Sequence, residues 1–236
     1  MGLRHLEGLK DPPRGTGQPA VGSEDADDGI LKSVSRFEPP ETTFVKGVGL
    51  NSAMEYAERE LGLSEVAKGL EGLRAEHGDF DHHRISNALV PLPAAAAAWM
   101  MANQMHGGTL AQRRDFFQRM GVHIADSNLR GVYKTLMAFM VKPERLAKHI
   151  PGLWKTYFRG LTVELDLSEL SRGIARCSTV GFGGAPHIGE MAEGWLKYAF
   201  ELCGAKKVSC YEESLELGAE APDHKMIFTI RWKPQD

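Results

Sequence analysis

Apolar residues recur at three- and four-residue intervals through the middle of the chain and at every second residue towards its end. The first pattern predicts amphipathic helices, the second half-buried strands. TFVKGVGL reads as a short strand, with Gly47 and Gly49 marking its exit. Asn51 or Ser52 can cap a helix through AMEYAEREL, and Ser64 another through EVAKGLEGLRAE. Pro93 stands where a proline opens a helix, PAAAAAWMMANQM. The next helix, LAQRRDFFQRMGVHIADSN, places Leu110, Phe117, Met120 and Ile124 on its apolar side. VYKTLMAFM, PERLAKH and PGLWKTYF read as three further helices, the first stopping before Pro143.

After Gly160 the period drops from 3.6 to 2. LTVELDL and GIARCSTVGF alternate as two strands around the turn SELSRG. GGAPHIGEMAEGWLKYAFELCGA is a long helix stopped at Gly204, and KKVSCYEESLEL and HKMIFTIRW close the chain as strands. The expected class is therefore α+β, with helices packed on an antiparallel sheet of about four strands. Its C-terminal part runs strand–strand–helix–strand–strand. Residues 1–40 differ: Pro, Gly and acidic residues without period predict a flexible tail, and 41–236 a single domain.

Composition adds exclusions. The 236 residues are 42% hydrophobic and carry a net charge of −3, which argues against a chain that coats nucleic acid. No apolar run is long enough to span a membrane and no secretion signal opens the chain, so a cytoplasmic protein is expected. Its three cysteines, Cys177, Cys203 and Cys210, read as reduced thiols without zinc-binding spacing. Charge is uneven, because residues 111–160 hold ten basic against three acidic side chains. A helical surface balanced by acidic neighbours is the expected reading, with a site for an anionic partner as the alternative.

Candidate chemistry is sparse. HGDFDHH gathers His77, Asp79, Asp81, His82 and His83, but its order departs from the H-x-H-x-D-H loop of metallo-hydrolases, so no metal is expected. GFGGAPHIGE joins a strand to a helix without the Lys-Ser/Thr ending of a phosphate loop. His187 and Glu190 lie three residues apart at the start of that helix, where helix chemistry alone accounts for the glutamate. The aromatic residues are more telling. Trp154, Tyr157 and Phe158 stand at i, i+3 and i+4, one aromatic face just before the sheet. Such faces wall apolar ligand pockets. The expected ligand-binding residues are Trp154 and Phe158, with Phe117 opposite and His187 as the polar contact.

FVKGVGL, the LVP before the fourth helix, MGVHIADSNLRGVYKTLMAFMVKPERLAKHIPGLWKTYFRG, GWLKYAFELCGAKKV and the final FTIRW occur in an order that resembles the myxobacterial paralogous family of uncharacterised proteins. That family is remotely similar to vinyl-reductase-type small-molecule-binding domains, heme–nitric-oxide-binding domains and vesicle-tethering subunits. The resemblance implies helices against an antiparallel sheet, frequent dimerisation, and sensing or scaffolding rather than catalysis. The zinc branch carries a Glu and two cysteines in the last two strands, whereas no cysteine follows Cys210 here. The heme branch carries Y-x-S-x-R, and no tyrosine here begins that pattern. No cofactor is therefore expected. The leading expectation is a non-catalytic cytoplasmic sensory or binding module for an apolar small molecule, assembled as a homodimer. The alternatives are a dimeric scaffold that docks a partner protein, and an enzyme acting on an aromatic or isoprenoid-like compound. The dimer expectation rests on PAAAAAWMMANQM, which has almost no polar side.

Overall fold

The computed structural model describes residues 43–77, 88–131, 134, 142–182, 186–216 and 225–234. The expected 1–40 tail, HGDFDHH beyond His77, and all of the VYKTLMAFM helix but Lys134 lie outside these residues. The chain enters through β1 (Phe44–Lys46), α1 (Gly47–Leu61) and α2 (Leu63–His77). It continues through β2 (Leu89–Pro91), α3 (Leu92–His106), α4 (Leu110–Arg130) and α5 (Pro143–Tyr157). The last part is β3 (Phe158–Arg159), β4 (Thr162–Asp166), a 3-10 turn (Leu170–Arg172), β5 (Ile174–Val180), α6 (Pro186–Leu202), β6 (Lys206–Glu216) and β7 (Lys225–Lys233). The class is α+β, as the change of period predicts.

The main sheet is antiparallel, in the order β4-β5-β7-β6. Cys177 faces Phe228 across β5 and β7, and Val163 faces Thr179 across β4 and β5. Alternation divides the two sides of β5. Ala175, Cys177 and Thr179 are buried, while Arg176 bonds Glu169 at 2.9 Å and also reaches Asp166 and Glu213. α6 covers the apolar side, with Phe200 against Trp232 at 5.0 Å between ring centroids. A second sheet, β2-β1-β3, was not expected, because strands of two or three residues leave no periodic signal.

Three local readings are corrected. GVGL is not strand but the first turn of α1. Gly49 sits in that first turn, where a side chain would meet the Tyr157 ring and Val45 at ordinary contact distance, so it does not mark a strand exit. PERLAKH and PGLWKTYF form one helix, α5, which runs through Pro151. That proline deprives one carbonyl of its partner. The helix persists because Leu146, Ala147, Ile150, Leu153 and Trp154 form one continuous buried face. Leu110 is only partly covered, since it opens α4 directly after its cap. There the Thr109 hydroxyl accepts from the Gln112 amide at 3.3 Å while Gln112 Oε1 accepts from the Thr109 amide at 2.8 Å.

α4 and α6 meet at backbone distance. A methyl group at Gly121 would fall onto the Met191 carbonyl, and one at Gly194 onto the Gln118 carbonyl. The reciprocal pair of glycines brings two long helices closer than any side chain permits, and this crossing positions the site.

Candidate functional site

Beside that crossing lies a small cavity of about 40 Å3. Trp154, Tyr157 and Phe158 line it from the end of α5 and the start of β3. Ile188, Met191, Ala192 and Trp195 come from one face of α6, Gly121 and Ile124 from α4, and Trp99 from α3. Val45 and Gly49 complete the wall from β1 and the first turn of α1. Thr43 Oγ1 donates to the Gly181 carbonyl at 2.9 Å, which ties the start of β1 to the end of β5.

The aromatic set is mutually packed. Trp154 lies 5.5 Å from Phe158 and 5.6 Å from Trp195, and Tyr157 meets Trp195 edge-on at 5.7 Å. Offset and edge-on pairs at such separations are the favoured aromatic geometries. The indole N–H groups of Trp99 and Trp195 are buried and find no acceptor among the described residues. Each such donor costs roughly 1–3 kcal/mol, which a core selected for stability alone seldom tolerates.

Of the four residues expected from sequence, the structure brings Trp154 and Phe158 together at the cavity. Phe117 is fully buried but packs beside Phe116, 5.9 Å away, and is not among the residues lining it. His187 falls in the first turn of α6, and its side chain lies outside the described ones. Trp99 and Trp195 carry aromatic character but no site signal of their own in sequence. They join the site because α3 and α6 converge on it.

A second, polar groove of about 1030 Å3 runs along α1, α4, α6 and β6. Here Arg119 and Arg130 of α4 find acidic partners, as does Arg114 beside the groove. Arg119 bonds Asp115 at 2.9 Å and approaches Glu60, and Arg130 bonds Asp126 at 2.7 Å. Arg114 bonds Glu190 at 3.3 Å. Glu60 of α1 and Glu190 of α6 are the acidic neighbours that α4 meets from outside the basic stretch, whereas Asp115 and Asp126 belong to it. His123 lies in the groove, lowered below the ordinary imidazole range by burial and by Arg59.

The thiols are passive. Burial pushes Cys177 up to about 12, against the opposite pull of the Trp154 indole, and Cys203 likewise to about 12. Cys210 is raised well above the ordinary thiol range by burial, then by Glu193 and Cys177. A thiol so shifted is no nucleophile near neutrality. Among the described residues, no group of three or more His, Cys, Asp or Glu side chains could hold a metal ion. Among them, too, no helix is long and apolar enough to cross a membrane.

No protein-family model matches the chain, and no curated protein matches it. Solved structures do. An H-NOX protein from K. algicida, in its unliganded Fe(II) form, is 12% identical with a TM-score of 0.57, over 80% of this chain and 97% of that one. An H-NOX protein from S. oneidensis in the Fe(II)NO ligation state is 16% identical with a TM-score of 0.56, over 80% and 99%. An oxygen-binding H-NOX domain related to soluble guanylate cyclases gives 9% and 0.51, over 80% and 95%. The chain thus shares the fold of the heme–nitric-oxide-binding domains among its expected remote relatives.

Whether the residues here suit a heme is a separate question. Cofactor-sized ligands occupy about 300–1,000 Å3, and the cavity offers about 40 Å3. Its lining contains no imidazole and no thiol. Of the histidines with described side chains, His149 is exposed with Nδ1 at 3.0 Å from the Arg145 carbonyl, His106 stacks on Phe116, and His123 faces the polar groove. The described residues do not fit a heme.

Proposed function

We propose that this chain is a non-catalytic binding module of sensory type, which holds a compact apolar molecule in the aromatic cavity between its helices and sheet. The observation that carries this reading is the convergence of Trp99, Trp154, Trp195, Tyr157 and Phe158, from four elements, on one apolar cavity. The fold shared with H-NOX proteins supports a ligand-binding role by analogy alone. The ordered motifs from FVKGVGL to FTIRW support membership of the myxobacterial paralogous family. A cytoplasmic location is part of the same reading, and the three free cysteines are in keeping with it.

Native mass spectrometry of the purified full chain tests the reading. A small co-purifying mass that leaves on denaturation supports it. A clean apoprotein whose cavity also refuses small apolar probes contradicts it. Hemin separates this module from the heme-binding members of the fold. An equimolar mixture is expected to keep the broad absorption of free hemin, and a sharp ligated band would overturn the expectation.

A dimeric scaffold is the second reading, and α3 bears on the dimer that both readings share. Leu92, Ala95, Ala98, Trp99 and Ala102 are buried inward, while Pro93, Ala96, Ala97 and Met100 form a stripe that is only half covered. A helix apolar on both sides suits a second subunit. Sedimentation at micromolar concentration is expected to show twice the 26.0 kDa chain mass, and a species at the chain mass alone would reject the dimer.

A further inference from the structure

The basic side chains of α5 differ from those of α4. Lys142, Arg145, Lys148 and Lys155 stand at intervals of three and seven residues on its exposed side, and Arg159 follows, also exposed, in β3. The opposite side, from Leu146 to Trp154, is buried in the core. Lys142, Lys148, Lys155 and Arg159 reach no carboxylate at ion-pair distance among the described residues. Glu144, the one acid in 142–159, instead accepts from the Trp232 indole at 3.4 Å. Lys142 and Arg145 also stand at the positive end of the helix dipole, where cations are disfavoured. Neither the helix nor its neighbours account for this stripe.

We propose that the acidic segment 24–28 of the same chain docks on the basic stripe of α5. Between Arg14 and Lys32 the charged side chains are Glu24, Asp25, Asp27 and Asp28, so this stretch is acidic without a single cation. The place where it is tethered follows from the register. The described part of the chain begins at Thr43, and the next residue, Phe44, pairs with Arg159 across β1 and β3. Thr43 is itself fixed, since its hydroxyl donates to the Gly181 carbonyl and its carbonyl accepts from the Leu92 amide at 2.8 Å. The preceding chain therefore joins the domain beside the last cation of the stripe.

Length and charge both permit the contact. The 14 residues 29–42 can span at most about 50 Å, whereas the 15 residues of α5 rise about 22 Å. Every cation of the stripe is thus within reach. A single exposed ion pair contributes little, but the tether makes the encounter intramolecular, at an effective concentration on the order of millimolar. Contacts between exposed charges weaken as the Debye length shrinks from about 8 Å at physiological salt to about 3 Å at 1 M. Docking is therefore salt-sensitive. It covers the outer side of the helix whose inner side supplies Trp154 and Tyr157 to the cavity, and it does not depend on that cavity holding a ligand.

The test follows lysine acetylation in the full chain by peptide mass spectrometry. The comparison is a variant that joins Glu24→Gln, Asp25→Asn, Asp27→Asn and Asp28→Asn, all outside the folded core. At low salt, Lys148 and Lys155 are expected to react severalfold more slowly in the wild type than in this variant. Lys207, exposed on β6 at the far edge of the main sheet, is expected to react alike in both. At about 1 M salt the difference is expected to vanish. A carbodiimide, which couples lysines to touching carboxylates, is expected to join segment 24–28 to Lys148 or Lys155. In a mixture of unlabelled and 15N-labelled protein, those cross-links are expected within single chains. Equal reactivity of the two lysines in wild type and variant at low salt overturns the docking, as do cross-links found solely between chains. Lysines that stay unprotected until phosphatidylglycerol vesicles are added, in a protein that then sediments with them, assign the stripe to a lipid surface and overturn it too.

Discussion

Gly121→Ala is expected to cost about 3 kcal/mol of stability, at the upper end for inserting a methyl group into a packed interior. The new methyl would meet the Met191 carbonyl, a backbone atom that cannot rotate away. Gly194→Ala repeats the conflict against the Gln118 carbonyl, so it should cost a similar amount. The two sites share one crossing, and the double variant should cost less than the sum, because helices already forced apart admit the second methyl more easily. Gly72 and Gly152 provide the contrast. They lie inside α2 and α5 with open space where a methyl would go. There alanine should stabilise by up to about 1 kcal/mol through helix propensity. Thermal or urea unfolding of the four single variants checks the account, and equal effects at all four sites would refute backbone contact at the crossing.

Trp154→Ala carries the second large effect. The residue is 5% exposed and packs on Phe158 and Trp195, so its loss should cost about 3–5 kcal/mol as a buried aromatic truncation. Phe117→Ala should cost a similar amount, since Phe117 is fully buried. The two variants part at the cavity. Trp154 forms its wall and Phe117 does not, so only Trp154→Ala should change which apolar probe is retained, favouring a larger one such as benzene. Denaturant unfolding paired with probe binding separates the cases. Identical probe behaviour in both variants would show that Trp154 is core and nothing more.

How far the fold could be read from sequence depended on the length of each signal. LTVELDL and GIARCSTVGF alternate over enough residues to show their strands, and Cys177 proved to point inward as that alternation requires. PERLAKH and PGLWKTYF looked separate because Pro151 is a local breaker, whereas a buried face spanning α5 outweighs one lost hydrogen bond. The β2-β1-β3 sheet forms by long-range pairing of very short strands, which no local pattern announces. At the site, Trp154 and Phe158 were legible as an i, i+4 pair, even though Phe158 begins a strand rather than ending a helix. Gly121 and Gly194 were not legible. A glycine inside a helical pattern reads only as a mild penalty until the partner helix is placed.

The most direct test of the apolar cavity is diffraction from crystals of the full chain pressurised with xenon. Xenon is compact, polarisable and indifferent to hydrogen bonding, so it reports apolar space alone. The account predicts a xenon peak among Trp154, Tyr157, Met191 and Trp195, reduced or displaced in Trp154→Ala. Crystals that take up xenon elsewhere, or not at all, while those four side chains stay in mutual contact around no density, would contradict it.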